Sequence, residues 1–543
     1  MKRIINEWKS TILLGIPILI LALGLRLYNL TYLPIFADEA IYIRWAQIMQ
    51  AEPTLRFLPL SDGKQPLFMW GMIPFLKIFS DPLFAGRFLS VLTGIGTLVG
   101  IFATSYYLFR NKRVALLASL IYAISPFSVF FDRMALVDSM LAMYGIWTLM
   151  LAAVAAKTLR LDFAMLAGFT LGGALLTKSP ALFFAILLPT TLLVTKWPIG
   201  KRKKLSPFAK RFGGSSVAFS VGGHLIKLIG LWVVTLTLGY GLYNILRLGP
   251  EFHMISLRNK DYVFPLNHVL QSPLDPFTPF LDRIFEYLWI LGPSLLVIFI
   301  VLGIVLNLKK HFRQILFISV WALVPIIATS EYSKTMTARY VYFTIPFLVI
   351  LSASSFLLKG KWVKLLTLGL FIFIIHAFAI NRLLLTNIES APLPNSERTG
   401  YLEEWTAGTG IRGVADIVLN EIKNNPDERI VVGTEGFFGT LPDGLQIYLN
   451  KISNVTTIGV GLNMDKIPEP LLESKRFGNK TFLVVNSSRL KISKEDWDTF
   501  GLRLVSEYPK ALRLQQDSHE FIWYGPRDSL YFFELTGQAV STK

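Results

Sequence analysis

The chain has 543 residues, 53% of them apolar and 17% charged, with no cysteine and a formal net charge of +18. So apolar a composition, with a mean hydropathy of +0.50, excludes a disordered chain or a coiled coil and requires lipid around the surface. The missing cysteines exclude a disulfide framework, a thiolate zinc site and a cysteine nucleophile.

The charge divides unevenly along the chain. Residues 1–383 hold 37 basic and 15 acidic side chains, a net +22, whereas residues 384–543 hold 17 basic and 21 acidic, a net −4. The two parts therefore meet different surroundings. The basic residues lie between apolar runs, not on the single patch that nucleic-acid binding requires.

A helix needs about 20 mostly apolar residues to cross a bilayer. By that measure the first part contains about eleven candidate spans, near 11–30, 83–109, 114–131, 139–156, 162–177, 180–195, 224–246, 288–307, 314–329, 340–358 and 364–383. No small-residue cleavage site follows the first run, so it is expected to stay as an anchor. Basic clusters fall at Lys2-Arg3, Arg110-Asn111-Lys112-Arg113, Lys157/Arg160, Lys201-Arg202-Lys203-Lys204 with Lys210-Arg211, Lys309-Lys310 and Lys359-Gly360-Lys361. With eleven spans and a cytoplasmic N-terminus, every cluster lies in the cytoplasm, as the positive-inside tendency expects. Nearly all acidic residues of this part, Glu7 and Asp162 excepted, then lie outside. The fold class expected is an α-helical polytopic protein of the plasma membrane, with a C-terminal extracytoplasmic α/β domain.

Composition changes after Leu385. Residues 386–400, rich in Pro, Ser, Glu and Asn, read as a linker between a transmembrane domain (1–385) and a soluble domain (401–543). The soluble part is expected to have a helix at Gly413–Asn424, a strand at Arg429–Gly433, a second helix at Gly439–Leu449, and strands at Thr481–Val485 and Glu520–Tyr524. Gly433-Thr434-Glu435-Gly436 carries too little of a dinucleotide fingerprint to be more than a strand-to-helix turn.

The chemistry-bearing residues share the outer side. Asp38-Glu39 follows the first span; two adjacent carboxylates beside lipid are costly unless solvated or used. Asp38 could simply N-cap a helix over Glu39–Met49, a position that would also fix it rigidly and aim free N–H groups at an anion. Lys64, in Asp62-Gly63-Lys64-Gln65-Pro66, leads into an apolar-aromatic run and places its ammonium where a lipid phosphate lies. Arg87 has a similar position and a weaker claim. Asp132, Arg133 and Asp138 crowd one short loop between very apolar runs; Arg133 and Asp138 are expected to point into a common cavity or to pair elsewhere. Lys178 in Leu176-Thr177-Lys178-Ser179-Pro180 and Arg339 in Thr337-Ala338-Arg339-Tyr340 complete the set. Taken singly each is as well explained by a snorkelling anchor or a surface turn. Jointly they put a carboxylate among cations at the membrane surface, an arrangement suited to an anionic lipid substrate.

Asp38-Glu39, Lys64-Gln65-Pro66-Leu67-Phe68, Arg133 with Asp138, Thr177-Lys178-Ser179 and Arg339-Tyr340, in this order, resemble the GT-C class of polytopic glycosyltransferases. The branch is that of protein O-mannosyltransferases and the lipid A aminoarabinose transferase. The resemblance covers about residues 1–380 and is strongest over 30–190. Gln65 stands where that branch has Pro, and Ser179 where it has Gly. The loop 247–285, 39 residues long, is too short for the β-trefoil insertion of eukaryotic mannosyltransferases and points to a prokaryotic type.

The resemblance implies an inverting transfer of sugar from a polyprenyl-phosphate donor to a hydroxyl of a lipid, glycan or protein acceptor. Asp38 would be the general base. Glu39, Lys64, Arg133, Asp138, Lys178 and Arg339 would bind substrate, with the cations doing the work of a metal, so that no cofactor or metal is needed. Two other readings compete. A transporter or flippase of glycolipid-type substrates usually has midplane charges and internal repeats; here the charges sit at one surface and no repeat is visible. A carbohydrate-binding protein on a membrane anchor leaves the charges in 31–66 and 132–138 unexplained.

Overall fold

The computed structural model describes residues 2–197, 221–358, 360 and 362–536. The basic cluster Lys201–Arg211, with Lys359 and Lys361, lies outside the described residues. The membrane part is helical. After α1 (Lys2–Leu27) come α2 (Ala37–Ala51) and α3 (Leu67–Ile78), then the long α4 (Pro82–Phe109). Asp81 caps α4 by accepting from the N–H groups of Leu83 and Phe84 at 2.9 and 3.1 Å, and Pro82 fills the first helical position, where no N–H is missed.

The run 114–131 is two helices, α5 (Lys112–Ile124) and α6 (Pro126–Phe131), because Pro126 cannot continue the ladder of the preceding turn. α7 (Val137–Thr158) and α8 (Leu161–Leu175) follow, then a stretch of 3-10 turns around the short α9 (Leu182–Ile186). α10 (Val221–Tyr243), the polar α11 (Met254–Tyr262), α12 (Phe277–Leu291), α13 (Leu295–Asn307), α14 (Phe312–Tyr332), α15 (Ile345–Ser354) and α16 (Trp362–Thr386) complete the helical part.

Not all of the eleven expected spans are helices of spanning length among the described residues. Among the described residues six helices are long and apolar enough to cross a membrane, or seven if α12 and α13, bent by 109° at Gly292-Pro293-Ser294, count as one. The runs 162–177, 180–195 and 340–358 are apolar and helical but shorter. Pro180 and Pro189 break 180–195 into 3-10 turns, and 340–358 opens in 3-10 geometry ahead of Pro346.

α1, α10 and α16 expose Leu13, Ile20, Ile226, Val233, Phe371 and Ile375, sides that only lipid can cover. α8 and α10 approach closely through Gly168 and Gly172; a Cβ there would come within 2.7 Å of Leu238 and 2.4 Å of Leu242. Small residues four apart are a common way for membrane helices to pack. Arg87 and Arg110 lie near opposite ends of α4, about 35 Å apart along the axis. Asp138 and Lys157 mark the two ends of α7, and Arg110 and Lys157 flank the ring of Tyr107 at 5.3 and 4.7 Å. The basic turn is therefore at one end of these helices and the Asp138 end at the other.

The C-terminal part holds a five-stranded sheet in the order β4-β3-β5-β7-β6, with β3 (Ile430–Glu435), β4 (Val455–Gly461), β5 (Lys480–Asn486), β6 (Leu502–Pro509) and β7 (Ser529–Leu535). β4, β3 and β5 are parallel; β7 runs antiparallel to β5 and β6. Helix α17 (Ile411–Asn424) matches its expected position. The second expected helix shrinks to Asp443–Gln446, and the strand expected at Glu520–Tyr524 is instead the helix His519–Tyr524. There Ser518 caps the turn by accepting from the Phe521 N–H at 3.2 Å, a local signal that outweighs the strand-like composition of Phe-Ile-Trp-Tyr.

A second, two-stranded sheet ties the parts together: β1 (Ile35–Phe36) pairs antiparallel with β2 (Ala407–Gly408). The segment 386–400, read as a linker, carries a 3-10 turn at Ile388–Ser390 and the short helix Asn395–Arg398, with Arg398 bonded to Glu403 at 2.7 Å. α2 lies against the sheet domain, where Gln47 donates to the Ile447 carbonyl at 2.9 Å and Arg44 to Asn450 at 3.0 Å.

Candidate active site

A cavity of about 440 Å³ opens where α2, α11, the turn after α8 and the loop before α15 meet. Asp38, Lys64, Lys178 and Arg339 line it, with Tyr262 and Tyr340. One part of its wall is apolar, formed by Leu182, Phe183, Ile186 and Phe264.

The start of α2 sets Asp38. The helix begins at Ala37, one residue before the expected cap, and Phe36 holds the N-cap position. Glu39, three residues on, reaches back and accepts from the Phe36 N–H at 3.0 Å. Glu39 thus does the capping, and Asp38 is left to face the cavity. Its carboxylate forms an ion pair with Arg339. Burial alone would push the Asp38 carboxyl up; Arg339, then Lys64 and Lys178, hold it below the ordinary carboxylate value. Arg339 shows the converse: burial would lower it, but Asp38 and the nearby Tyr340 and Tyr401 hold it well above its ordinary value. Its guanidinium lies over the rings of Phe36 and Tyr340 at 5.4 and 5.7 Å.

Lys64 lies over the ring of Tyr262 at 5.1 Å and donates to its hydroxyl at 3.4 Å. Burial would lower Lys64; Asp38, Tyr262 and Asp62 outweigh it and raise the ammonium. Lys178 donates to Asp138 at 2.7 Å and lies over the ring of Tyr340 at 5.1 Å. Asp138, at the start of α7, does not line the cavity and is joined to it through Lys178. Its second oxygen is buried without a hydrogen-bond partner. The two departures from the family pattern meet each other: the Gln65 side-chain amide donates to the Ser179 hydroxyl at 2.9 Å, which joins the loops of Lys64 and Lys178.

The structure does not bring Glu39 or Arg133 to the cavity, and both substrate-binding expectations are corrected. Glu39 is fully buried, with Arg87 bonded at 2.8 and 2.7 Å and the Ala135 N–H at 2.6 Å. No acceptor capacity faces a ligand. Arg133 spends its guanidinium on the carbonyls of Leu25, Arg26, Tyr28 and Asn29, at 3.0, 3.2, 2.5 and 2.7 Å, closing the C-terminus of α1. Its neighbour Asp132 turns into the bundle. It accepts from Arg26 Nε at 2.9 Å, the Tyr122 hydroxyl at 3.0 Å, Ser139 at 2.6 Å and Tyr342 at 2.7 Å. The three charges of loop 132–138 therefore go to three places, and only Asp138 meets a residue of the cavity, Lys178.

Arg87, besides Glu39, holds the carbonyls of Leu30 and Leu33, each at 2.9 Å. The Glu39–Arg87 pair thus fixes the turn leading into Asp38. Removing one partner leaves a buried charge unpaired, so Glu39→Ala is expected to cost about 3–5 kcal/mol of stability, read as a lower unfolding midpoint in detergent.

Sequence reasoning missed α11. Its Arg258 and Asn259 line the cavity together with Tyr262. The polar run Arg258-Asn259-Lys260-Asp261-Tyr262 between apolar stretches was the available signal.

Among known proteins, residues 63–220 match the family model of dolichyl-phosphate-mannose-protein mannosyltransferases. No curated protein sequence matches the chain. Its fold is similar to the crystal structure of ArnT from Cupriavidus metallidurans in the apo state, with a TM-score of 0.55 at 14% identity over 98% of this chain and 99% of that one. The same protein bound to undecaprenyl phosphate gives a TM-score of 0.53 at 14% identity over 99% and 100% of the two chains. The likeness defines the fold: a polytopic helical membrane protein with a C-terminal sheet domain, similar in architecture to that structure over nearly the whole of both chains. The family match is confined to the first part of the chain, whereas the fold likeness extends over the C-terminal sheet domain.

Proposed function

We propose that this protein is an inverting glycosyltransferase that moves a sugar from a polyprenyl-phosphate donor to an acceptor hydroxyl. The observation that carries the proposal is a cavity that brings Asp38 together with the cations Lys64, Lys178 and Arg339 beside an apolar wall, while its other carboxylate, Asp62, is paired with Arg258 at 2.8 Å. The likeness to a protein solved with undecaprenyl phosphate agrees with that chemistry.

In this reading the donor's chain lies along Leu182, Phe183, Ile186 and Phe264, and its phosphate meets the cations. The acceptor oxygen attacks the anomeric carbon opposite the phosphate. Asp38 takes the hydroxyl proton as the new carbon–oxygen bond forms. The bond from the anomeric carbon to the phosphate oxygen breaks, and its electron pair leaves with the polyprenyl phosphate. Negative charge grows on that phosphate, and fixed cations in a water-poor site stabilise it. Asp138 orients Lys178. In this reading Asp38 supplies the base, and Lys64, Lys178 and Arg339 supply the charge stabilisation.

The basic turn beside Tyr107, opposite the cavity end of α4 and α7, agrees with an extracytoplasmic cavity in the plasma membrane and a cytoplasmic N-terminus. The experiment offers purified protein labelled polyprenyl-phosphate hexoses, pentoses and amino sugars, one at a time, with lipid, glycan and peptide acceptors. Label moving to at least one acceptor class is expected; no transfer from any donor would reject the proposal.

A further inference from the structure

The two members of the Asp38–Arg339 pair lie 301 residues apart, and one later segment touches the supports of both. On the Asp38 side, β2 pairs with β1, the two residues before α2, and the Ala37 N–H donates to the Thr406 carbonyl at 3.1 Å. The ring of Tyr401 packs on that of Phe36 with centroids 4.5 Å apart. On the Arg339 side, Glu397 is buried and accepts the Ala338 N–H at 2.9 Å, immediately before Arg339. Ser396 meets the Tyr287 hydroxyl at 3.0 Å, and Tyr287 donates to the Met336 carbonyl at 3.1 Å.

We propose that residues 395–408 are a clasp that completes the active site, with Glu397 a positioning residue that fixes Arg339 against Asp38. The segment grips the turn before Asp38 and the loop of Arg339 together, so the separation of base and cation is set by the chain after the last span. Each grip alone would leave the other member free to move; a shift of about 1 Å at such a pair is enough to cost about 100-fold in rate. The outer domain then has a part in the reaction without supplying a reacting group. Burial pushes the Glu397 carboxyl above its ordinary value, so a neutral amide that keeps the acceptor oxygen is a close stand-in.

The inference deepens the proposed function and rests on it for its kinetic arm. The test uses the full chain in nanodiscs. Because the chain has no cysteine, a spin label on Thr335→Cys, an exposed position on the same loop, reports loop mobility whether or not transfer is observed. Glu397→Ala is expected to lower kcat by about 100-fold, with donor KM changed by less than about threefold, and to give the label a mobile component. Glu397→Gln is expected to restore both readouts. Ser396→Ala, a milder cut, is expected to move both the same way by a smaller amount, and it serves if Glu397→Ala does not fold. Unchanged kcat and an unchanged label spectrum in Glu397→Ala, or in Ser396→Ala where that variant stands in, would overturn the clasp. So would a Glu397→Gln protein as impaired as Glu397→Ala. A parent protein that transfers no sugar would reject the functional reading instead, and the label would still decide the clasp.

Discussion

Asp38→Asn is expected to fold, to bind polyprenyl phosphate and to lose transfer by about 10³-fold, within the range for removing a general base. The amide keeps the size of the side chain and a hydrogen-bonding oxygen toward Arg339, but it cannot take a proton. The loss should fall on kcat more than on donor KM, since the missing interaction belongs to the transition state. The pH dependence follows from the cations. In the free protein Arg339, Lys64 and Lys178 hold Asp38 below its ordinary value despite burial. The carboxylate therefore stays ionised into acid, and the acid limb of kcat/KM for the donor is expected below the usual carboxylate range. A bound donor phosphate neutralises the same cations. The acid limb of kcat is accordingly expected at higher pH than that of kcat/KM. Stopped assays across acid pH with saturating and limiting donor measure both limbs. An Asp38→Asn protein with full activity would remove Asp38 from the mechanism.

Arg339→Gln is expected to reduce kcat by about 10²–10³-fold, the scale for deleting one fixed group that stabilises developing charge. The direction of its pH effect separates this from simple damage. Arg339 is the leading charge that lowers Asp38. Without it burial gains weight, the Asp38 carboxyl rises, and the acid limb of kcat/KM moves to higher pH. Lysine at 339 is expected to recover part of the rate, because it returns the charge without the planar contact over Phe36 and Tyr340. A kcat loss with no movement of the acid limb would show that Arg339 and Asp38 are not coupled in the working enzyme.

The sequence was most readable where one residue type has one physical use. Asp38, Lys64, Lys178 and Arg339 could be singled out because a charge beside lipid is costly, and the structure places all four on one cavity. Glu39 and Arg133 passed the same test and do other work. Nothing in Asp38-Glu39 says which carboxylate turns inward; Arg87, 48 residues later, decides it. Arg133 is likewise consumed by the carbonyls at the end of α1, whose position depends on tertiary packing.

Apolar runs gave the helices but not the number of spans, since prolines at 126, 180, 189 and 346 shorten segments whose composition is still apolar. In the outer domain, the central strands β3 and β5 were legible as continuous apolar runs. β6, with mostly exposed side chains, was not, and the Ser518 cap turned an apparent strand into a helix. The pairing of β1 with β2 spans more than 370 residues and left no local mark.

In the proposed reaction a bond between sugar and lipid phosphate is broken at this cavity. The most direct measurement reconstitutes the protein in vesicles with a polyprenyl-phosphate sugar labelled with carbon in the sugar and phosphorus in the phosphate. The two labels are expected to part: sugar label appears on the acceptor, phosphate label stays with the polyprenol, and Asp38→Asn abolishes the separation. Labels that remain together while the intact donor moves between leaflets, equally well with Asp38→Asn, would contradict it and mark a flippase.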